Sequence, residues 1–279
     1  MKASYPDSFK MLLDNFNESA PNNYIGQGNP GANILIVGKE CTTPVKTDEQ
    51  KYPGEKDFYT IETKMNFETW WNNVYRNIDF DDVPDWETSP LHFHEKYNPL
   101  FPYNSHRVGW SKTWDGYQKF INHLLPADMV AKSGQHYNFW QYSFITELST
   151  NNQKHSPRKW DEETAKSIEA RLKSDFGILR ADFFQEFPII ILGCYHYKDI
   201  YKIDIPTCFN QTYVGLAWKH ERLHEFIHAH RHISEDGKPH LLLHTNHFAM
   251  RSNDFIEAVA LKCKKFMDEY GISILKSEK

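Results

Sequence analysis

Four short apolar runs punctuate the chain. Residues 34–37 read Ile-Leu-Ile-Val, and the runs at 142–146, 188–193 and 240–244 have a similar continuous form. Runs of this length without apolar–polar alternation are typical of strands buried on both faces, as in parallel sheets. The pattern therefore predicts four buried parallel strands.

Helical periodicity fills the intervals between these runs. Alternating strands and helices imply right-handed crossovers, which place helices on both faces of a parallel sheet. We therefore expect an α/β fold with three layers, α/β/α, around a central four-stranded parallel sheet. Helices are predicted at residues 9–16, 65–78, 114–125, from 168 towards 184, at 223–227 and at 255–267, with Gly271 as the last C-terminal stop.

Residues 41–113 differ from the rest of the chain. They are polar as far as residue 55 and then dense in aromatic residues. The segment follows the first predicted strand and contains a proline-rich stretch at 84–102, which is unsuited to regular structure. Because there is no internal repeat and no obvious linker, we expect a single domain over residues 1–279 with an insertion at about 41–113.

Composition excludes several classes of protein. The 279 residues carry a net charge of −5, with 40% hydrophobic and 15% aromatic residues, which is incompatible with intrinsic disorder. The longest apolar stretch, 187–194, is too short to cross a bilayer, and no export signal is visible, so we expect a cytoplasmic monomer without membrane contact. The four cysteines form no Cys-x-x-Cys pair, and neither a metal nor another cofactor is predicted.

Titratable side chains follow the predicted strands. Glu40 and Glu147 come after the first and second strands, and His244 ends the fourth. In open α/β sheets such residues meet in the crevice beyond the carboxyl ends of the strands. A carboxylate there can activate water and a histidine can stabilise an anionic leaving group, which suits hydrolysis. The alternative is that both glutamates form ion pairs with Lys39 or Arg251 at the sheet edge.

The entry to the first strand resembles a known family. Gly28-Asn29-Pro30, followed by residues 32–38, is similar to the corresponding segment of the uracil-DNA glycosylase superfamily. The later landmarks occur in the same order, namely a strand ending at Glu147, a strand ending at Gly193 and a strand ending at His244. The resemblance covers most of the chain and implies the glycosylase fold.

The resemblance also implies roles for individual residues. Glu40 falls on the water-activating acid of the first family motif, and His244 falls on the leaving-group stabiliser. Glu147 falls on the base-reading position, where a carboxylate accepts hydrogen bonds only, so it favours a base edge that offers an amino or imino donor. Further base contacts are implied for Lys39, Thr42 and Asn246.

The implied reaction is hydrolysis of the N-glycosidic bond of a flipped nucleotide in single- or double-stranded DNA. Thr42 replaces the aromatic residue with which the family excludes thymine, so a damaged or modified base is expected rather than plain uracil. Phe67 and Trp71 are candidates for stacking on the base, although such residues more often belong to the core. Phosphate contacts are candidates, beside simple solvation, at Arg107, Lys112 and Arg251.

Two other functions remain open. The altered motifs also suit a non-catalytic protein that binds nucleic acid or a base on a glycosylase-like fold. Cys41 near His196, His244 or His247 would instead suit a cysteine-dependent hydrolase.

A histidine-rich segment at residues 220–232 invites a metal interpretation. His220, His224 and His228 recur every four residues, as on one face of a helix. No His-Glu-x-x-His motif is formed, so a solvated histidine-rich helix is the favoured prediction.

Overall fold

The computed structural model describes most of the regular core of the chain. The residues described are 3–16, 23–39, 58–82, 98–100, 108–109, 111–151, 159–172, 177–234 and 237–274. Within them, one sheet has the order β1-β3-β2-β4-β7-β6-β5. Its strands are β1 (Gln27–Gly28), β2 (Ile34–Gly38), β3 (Phe144–Glu147), β4 (Ile189–Leu192), β5 (Thr212–Lys219), β6 (Phe226–Ile233) and β7 (Pro239–Thr245).

The four predicted apolar runs pair in parallel at the centre of this sheet. β2 pairs with β3 and with β4, and β4 pairs with β7. The expectation of a four-stranded, all-parallel sheet is nevertheless wrong, because β1, β5 and β6 add antiparallel strands and the sheet is mixed. These three strands escaped prediction because β1 is only two residues long and the other two are not continuously apolar.

The histidine-rich segment forms a hairpin, so the helix predicted at 223–227 and the solvated histidine-rich helix are both wrong. β6 lies between β5 and β7 and pairs with both. Ile227 is fully buried on one face, whereas His228 and His230 point to the other. This alternation has the period of two that a strand requires, and the spacing of four between His220, His224 and His228 is coincidental.

Helices cover both faces of the sheet. The N-cap Ser111 accepts a hydrogen bond from Trp114 N, and Ser252 accepts one from Phe255 N, while Gly271, with φ of 63°, ends the last helix as predicted. The helices are α1 (Asp7–Asn15), α2 (Phe58–Arg76), α3 (Lys112–Asn122), α4 (Glu162–Leu172), α5 (Asp182–Gln185), α6 (His196–Tyr201), α7 (Ile205–Cys208) and α8 (Asn253–Tyr270).

Alternate residues of each central strand face two hydrophobic cores. Leu35 and Val37 contact the core formed with α1, α2, α4 and α5, whereas Ile34 and Ile36 contact the core formed with α3 and α8. The central strands are therefore buried on both faces, which explains their continuous apolar sequences. No helix in the described ranges is long and apolar enough to cross a membrane.

A buried arginine anchors the end of β3. Arg171 on α4 is fully buried, and its guanidinium donates to Tyr24 O at 2.9 Å, Thr146 Oγ1 at 3.2 Å and Glu147 O at 3.1 Å. The planar guanidinium can satisfy several acceptors at once, which compensates for burying its charge. The backbone that carries Glu147 is thus held firmly at the sheet edge.

Candidate functional site

The carboxyl ends of β2 and β3 bring Lys39 and Glu147 side by side. Gly38 is paired with Glu147, and Ser149 N donates to Lys39 O at 2.8 Å. A Cβ atom at Gly38 would overlap Glu147 Oε2. The carboxylate of Glu147 therefore lies directly over the Gly38 α-carbon.

The loop after β7 crosses the end of β4. Gly193 N donates to Val37 O at 2.9 Å, and a Cβ atom at Gly193 would lie 3.7 Å from the α-carbon of His247. Arg251 Nε donates to His247 O at 2.9 Å, which fixes the loop from its far side. His247 is thereby held over the centre of the parallel strands.

Lys39, His196, His247 and Arg251 act on one another electrostatically, and we name these four residues the carboxyl-edge cluster. Burial, together with the smaller effects of the charges of Lys39, Arg251 and His196, lowers the pKa of His247 to about 3. Burial, Lys39 and Arg251 lower the pKa of His196 to about 4. At neutral pH the cluster therefore combines two cations with two uncharged imidazoles.

One hydrogen bond fixes the tautomer of His247. Ala249 N donates to His247 Nδ1 at 3.2 Å, so Nδ1 accepts and the proton of the neutral ring resides on Nε2. A neutral imidazole held in this way can donate a hydrogen bond to an anion that develops during a reaction. The cations of Lys39 and Arg251 suit phosphate groups, and Arg251 Nη1 also lies 3.9 Å from Oε1 of the buried Glu225.

His244 and Glu147 do not converge. Glu147 is aligned with Gly38 on β2, whereas His244 is aligned, through Leu192, with Val37. Because adjacent residues of a strand face opposite sides of the sheet, the two side chains lie on opposite faces. Two strands also separate β3 from β7, a distance of three inter-strand spacings, or about 14 Å. His244 instead lines a separate pocket on the other face.

The other predicted base contacts and stacking residues fall in different places. Asn246 Oδ1 accepts a hydrogen bond from Phe226 N at 2.9 Å, which ties the loop to β6. Phe67 belongs to the core, with 6% of its surface exposed, so it is not available for stacking on a base. Trp71 is half-buried, and its ring centroid is 4.8 Å from that of Tyr75.

Of the predicted phosphate contacts, Arg251 belongs to the carboxyl-edge cluster and Lys112 is exposed at the start of α3. Glu40, Cys41, Thr42 and Arg107 lie outside the described residues.

The sequence names His196 and His247 only as possible partners of Cys41, and not as residues of the glycosylase site, although both follow a predicted strand. The signal that could have found them is their position after the carboxyl ends of β4 and β7. The family resemblance directed attention to His244 instead, three residues before His247.

No family model matches this chain, and no curated protein or solved structure is significantly similar to it. Within the described ranges, no group of three or more His, Cys, Asp or Glu side chains has the arrangement of a metal site.

Proposed function

We propose that this protein is a hydrolase like the DNA glycosylases, which cleaves the N-glycosidic bond of a damaged or modified base. We place the reaction at the carboxyl-edge cluster, on a fold like that of the uracil-DNA glycosylase superfamily. The observation that carries this proposal is the neutral His247, which has its proton on Nε2 and lies within electrostatic range of the cations Lys39 and Arg251. The proposed partner is single- or double-stranded DNA, met by a cytoplasmic monomer.

The reaction requires two charges to be stabilised. As the bond between the sugar and the base breaks, the base becomes anionic and the sugar cationic. His247 Nε2–H would donate to the departing base, the role that the sequence resemblance gave to His244. Water then adds its hydroxide to the anomeric carbon, and its remaining proton ends on the released base.

The remaining residues of the edge suit substrate binding. Lys39 and Arg251 would contact the phosphates that flank the flipped nucleotide. Glu147 would accept a hydrogen bond from an amino or imino group of the base, and because a carboxylate cannot donate to the O4 carbonyl of uracil, plain uracil is disfavoured. Glu40 keeps the water-activating role that the resemblance implies.

The test is a single-turnover excision assay on single- and double-stranded oligonucleotides. The substrates carry uracil, hypoxanthine, xanthine, alkylated bases or hydroxymethylated bases, and abasic sites are the product measured. We expect His247→Gln to reduce the rate about a hundredfold, as for the loss of one donor to a developing oxyanion. The control His123→Gln, at an exposed position beyond α3, should stay within about twofold.

Other results would change the assignment. Loss of excision in His244→Gln but not in His247→Gln would return the role to His244. DNA binding without abasic product from any substrate would favour a non-catalytic binding protein, and absence of both would contradict the proposal.

A further inference from the structure

A second pocket lies on the face of β6 and β7 that His244 occupies. Its volume is about 310 Å³, at the lower end of the range for small-molecule sites. His228 and His230 are two residues apart on β6 and so share one face of the sheet, and His244 lies opposite His228 on β7. The described residues that line it are Tyr195, Lys198, Asp204, Pro206, Tyr213, His228, His230 and His244.

Flat rings form most of the pocket wall. The rings of Tyr195 and His228 are stacked, with centroids 4.7 Å apart and an interplanar angle of 7°. The Tyr213 ring lies 5.2 Å from that of His230, on the side of β5. Aromatic and imidazole faces of this kind favour a planar ligand, because planar rings can pack against them with little loss of contact.

His244 gives the pocket a buried hydrogen-bond acceptor. Only 1% of its surface is exposed, and its Nε2 atom has no hydrogen-bond partner among the residues that the structure describes. A hydrogen bond between the ring and the backbone of Cys194 favours the protonated form of His244. The ring is therefore the donor, through Nδ1–H, and the carbonyl of Cys194 is the acceptor. Burial, aided by His230, His228 and Lys198, lowers the pKa of His244 to about 3, so Nε2 keeps a lone pair at neutral pH.

Such an acceptor needs a donor. A buried polar atom without a partner is rare in folded proteins and costs free energy. Lys198, whose Nζ is 5.9 Å from the Tyr195 ring centroid, also lines the pocket. Its charge acts on His244, and its ammonium group can donate to a carbonyl group. The pocket therefore offers a buried acceptor at His244, a cationic donor at Lys198 and flat walls, with the carboxylate of Asp204 as a further acceptor in its lining.

We propose that this pocket binds a single planar heterocycle that carries an N–H group next to a carbonyl, the edge found in oxo-pyrimidines and oxo-purines. The N–H donates to His244 Nε2, and the carbonyl accepts from Lys198 Nζ. The site is separate from the carboxyl-edge cluster and does not depend on the excision reaction proposed there.

The test measures binding of uracil, hypoxanthine and uridine to the full chain by calorimetry, with 1,3-dimethyluracil as the probe that lacks an N–H. We expect at least one of the first three to bind, and its affinity to fall about tenfold or more in His244→Phe, which keeps a ring but removes the acceptor. 1,3-Dimethyluracil should bind at least tenfold more weakly than uracil. Uridine tests whether the pocket accepts a nucleoside as well as a free base, because it keeps N3–H but carries the sugar.

Two control variants test at which of the two sites the heterocycle binds. His232→Phe changes a histidine of β6 that is not among the pocket residues, and His247→Gln changes the carboxyl-edge cluster. Neither should alter the affinity by more than about twofold. Binding that survives His244→Phe but disappears in His247→Gln would place the heterocycle at the other site and overturn the proposal.

A second measurement covers the case in which His244→Phe does not fold. In the unaltered protein, the imidazole ¹⁵N resonance of His244 Nε2 should move on addition of the bound heterocycle, as a lone pair does when it accepts a hydrogen bond. An unmoved resonance at saturation, equal affinity for 1,3-dimethyluracil, or no binding of any probe would each overturn the proposal. Failure of the excision assay would leave these results unaffected.

Discussion

Gly38 and Gly193 end neighbouring parallel strands but have different surroundings. A Cβ atom at Gly38 would overlap the Glu147 carboxylate, whereas one at Gly193 would meet its nearest neighbour, Val37 O, at 3.6 Å, an ordinary contact distance. The absence of a side chain at Gly38 is therefore what allows the carboxylate of Glu147 to lie over the strand. Gly193 imposes no such requirement.

Gly38→Ala should consequently displace the Glu147 carboxylate without unfolding the protein. The group that must move is the end of a flexible side chain, so the free energy of unfolding should change by less than about 1 kcal/mol. If Glu147 reads the base, the single-turnover excision rate should fall at least tenfold. The matched variant Gly193→Ala should change the rate by no more than about twofold, and equal losses in both variants would refute the role of Glu147.

At the scale of elements, the sequence predicts the strands that are buried on both faces and misses those that are not. β2 and β4 are continuously apolar, so their burial is visible in the sequence alone. β6 carries histidine at three alternate positions, 228, 230 and 232, and histidine is typical of neither the core nor the surface. The sequence therefore predicts a helix where the structure has a hairpin, because a spacing of four residues between His220, His224 and His228 also fits a helix.

The candidate site shows a second limit of sequence reasoning. The residue order correctly predicts that polar groups follow the parallel strands, because the residues that come directly after a strand in the sequence lie at its carboxyl end. It does not predict which face each side chain takes, since a shift of one residue reverses the face. His244 and Glu147 were paired by motif order, but the alignment of β2, β3, β4 and β7 places them on opposite faces.

The two isoleucines of β6 test the assignment of this element. Ile227 is fully buried against the core with α8, whereas 69% of the surface of Ile233 is exposed. Ile227→Ala should lower the free energy of unfolding by about 2–5 kcal/mol, because it leaves a cavity. Ile233→Ala should change it by less than about 1 kcal/mol. Urea denaturation measures both values, and similar losses would contradict the strand assignment.

Across the whole molecule, one short segment connects the two candidate sites. Tyr195 lines the pocket that contains His244, and His196, the next residue, belongs to the carboxyl-edge cluster. Both follow β4, the strand between β2 and β7, so the central parallel strands position both groups of residues. The two sites thus share β4 as a common scaffold.

The uncharged histidines also make the stability of the whole fold depend on pH. The pKa values of His196 and His230 are lowered to about 4, and those of His244 and His247 to about 3, chiefly by burial. In the unfolded chain these residues titrate near pH 6.5. As the pH falls below 6.5, the unfolded chain takes up protons that the folded chain does not, so the free energy of unfolding decreases until the folded pKa values are reached.

Each of these histidines should contribute a slope of about 1.4 kcal/mol per pH unit between pH 5.5 and 4.5, where its unfolded form is protonated and its folded form is not. His247→Gln should therefore reduce the slope of the unfolding free energy against pH by about that amount in this window. Urea denaturation at several pH values measures the slope, and the difference between the variant and the unaltered protein cancels the titration of the carboxylates.

The control variant changes the exposed His123 to Gln and should leave the slope unaltered. An unchanged slope in His247→Gln would mean that His247 is protonated in the folded protein at the same pH as in the unfolded chain, which would contradict the neutral imidazole on which the proposed reaction depends.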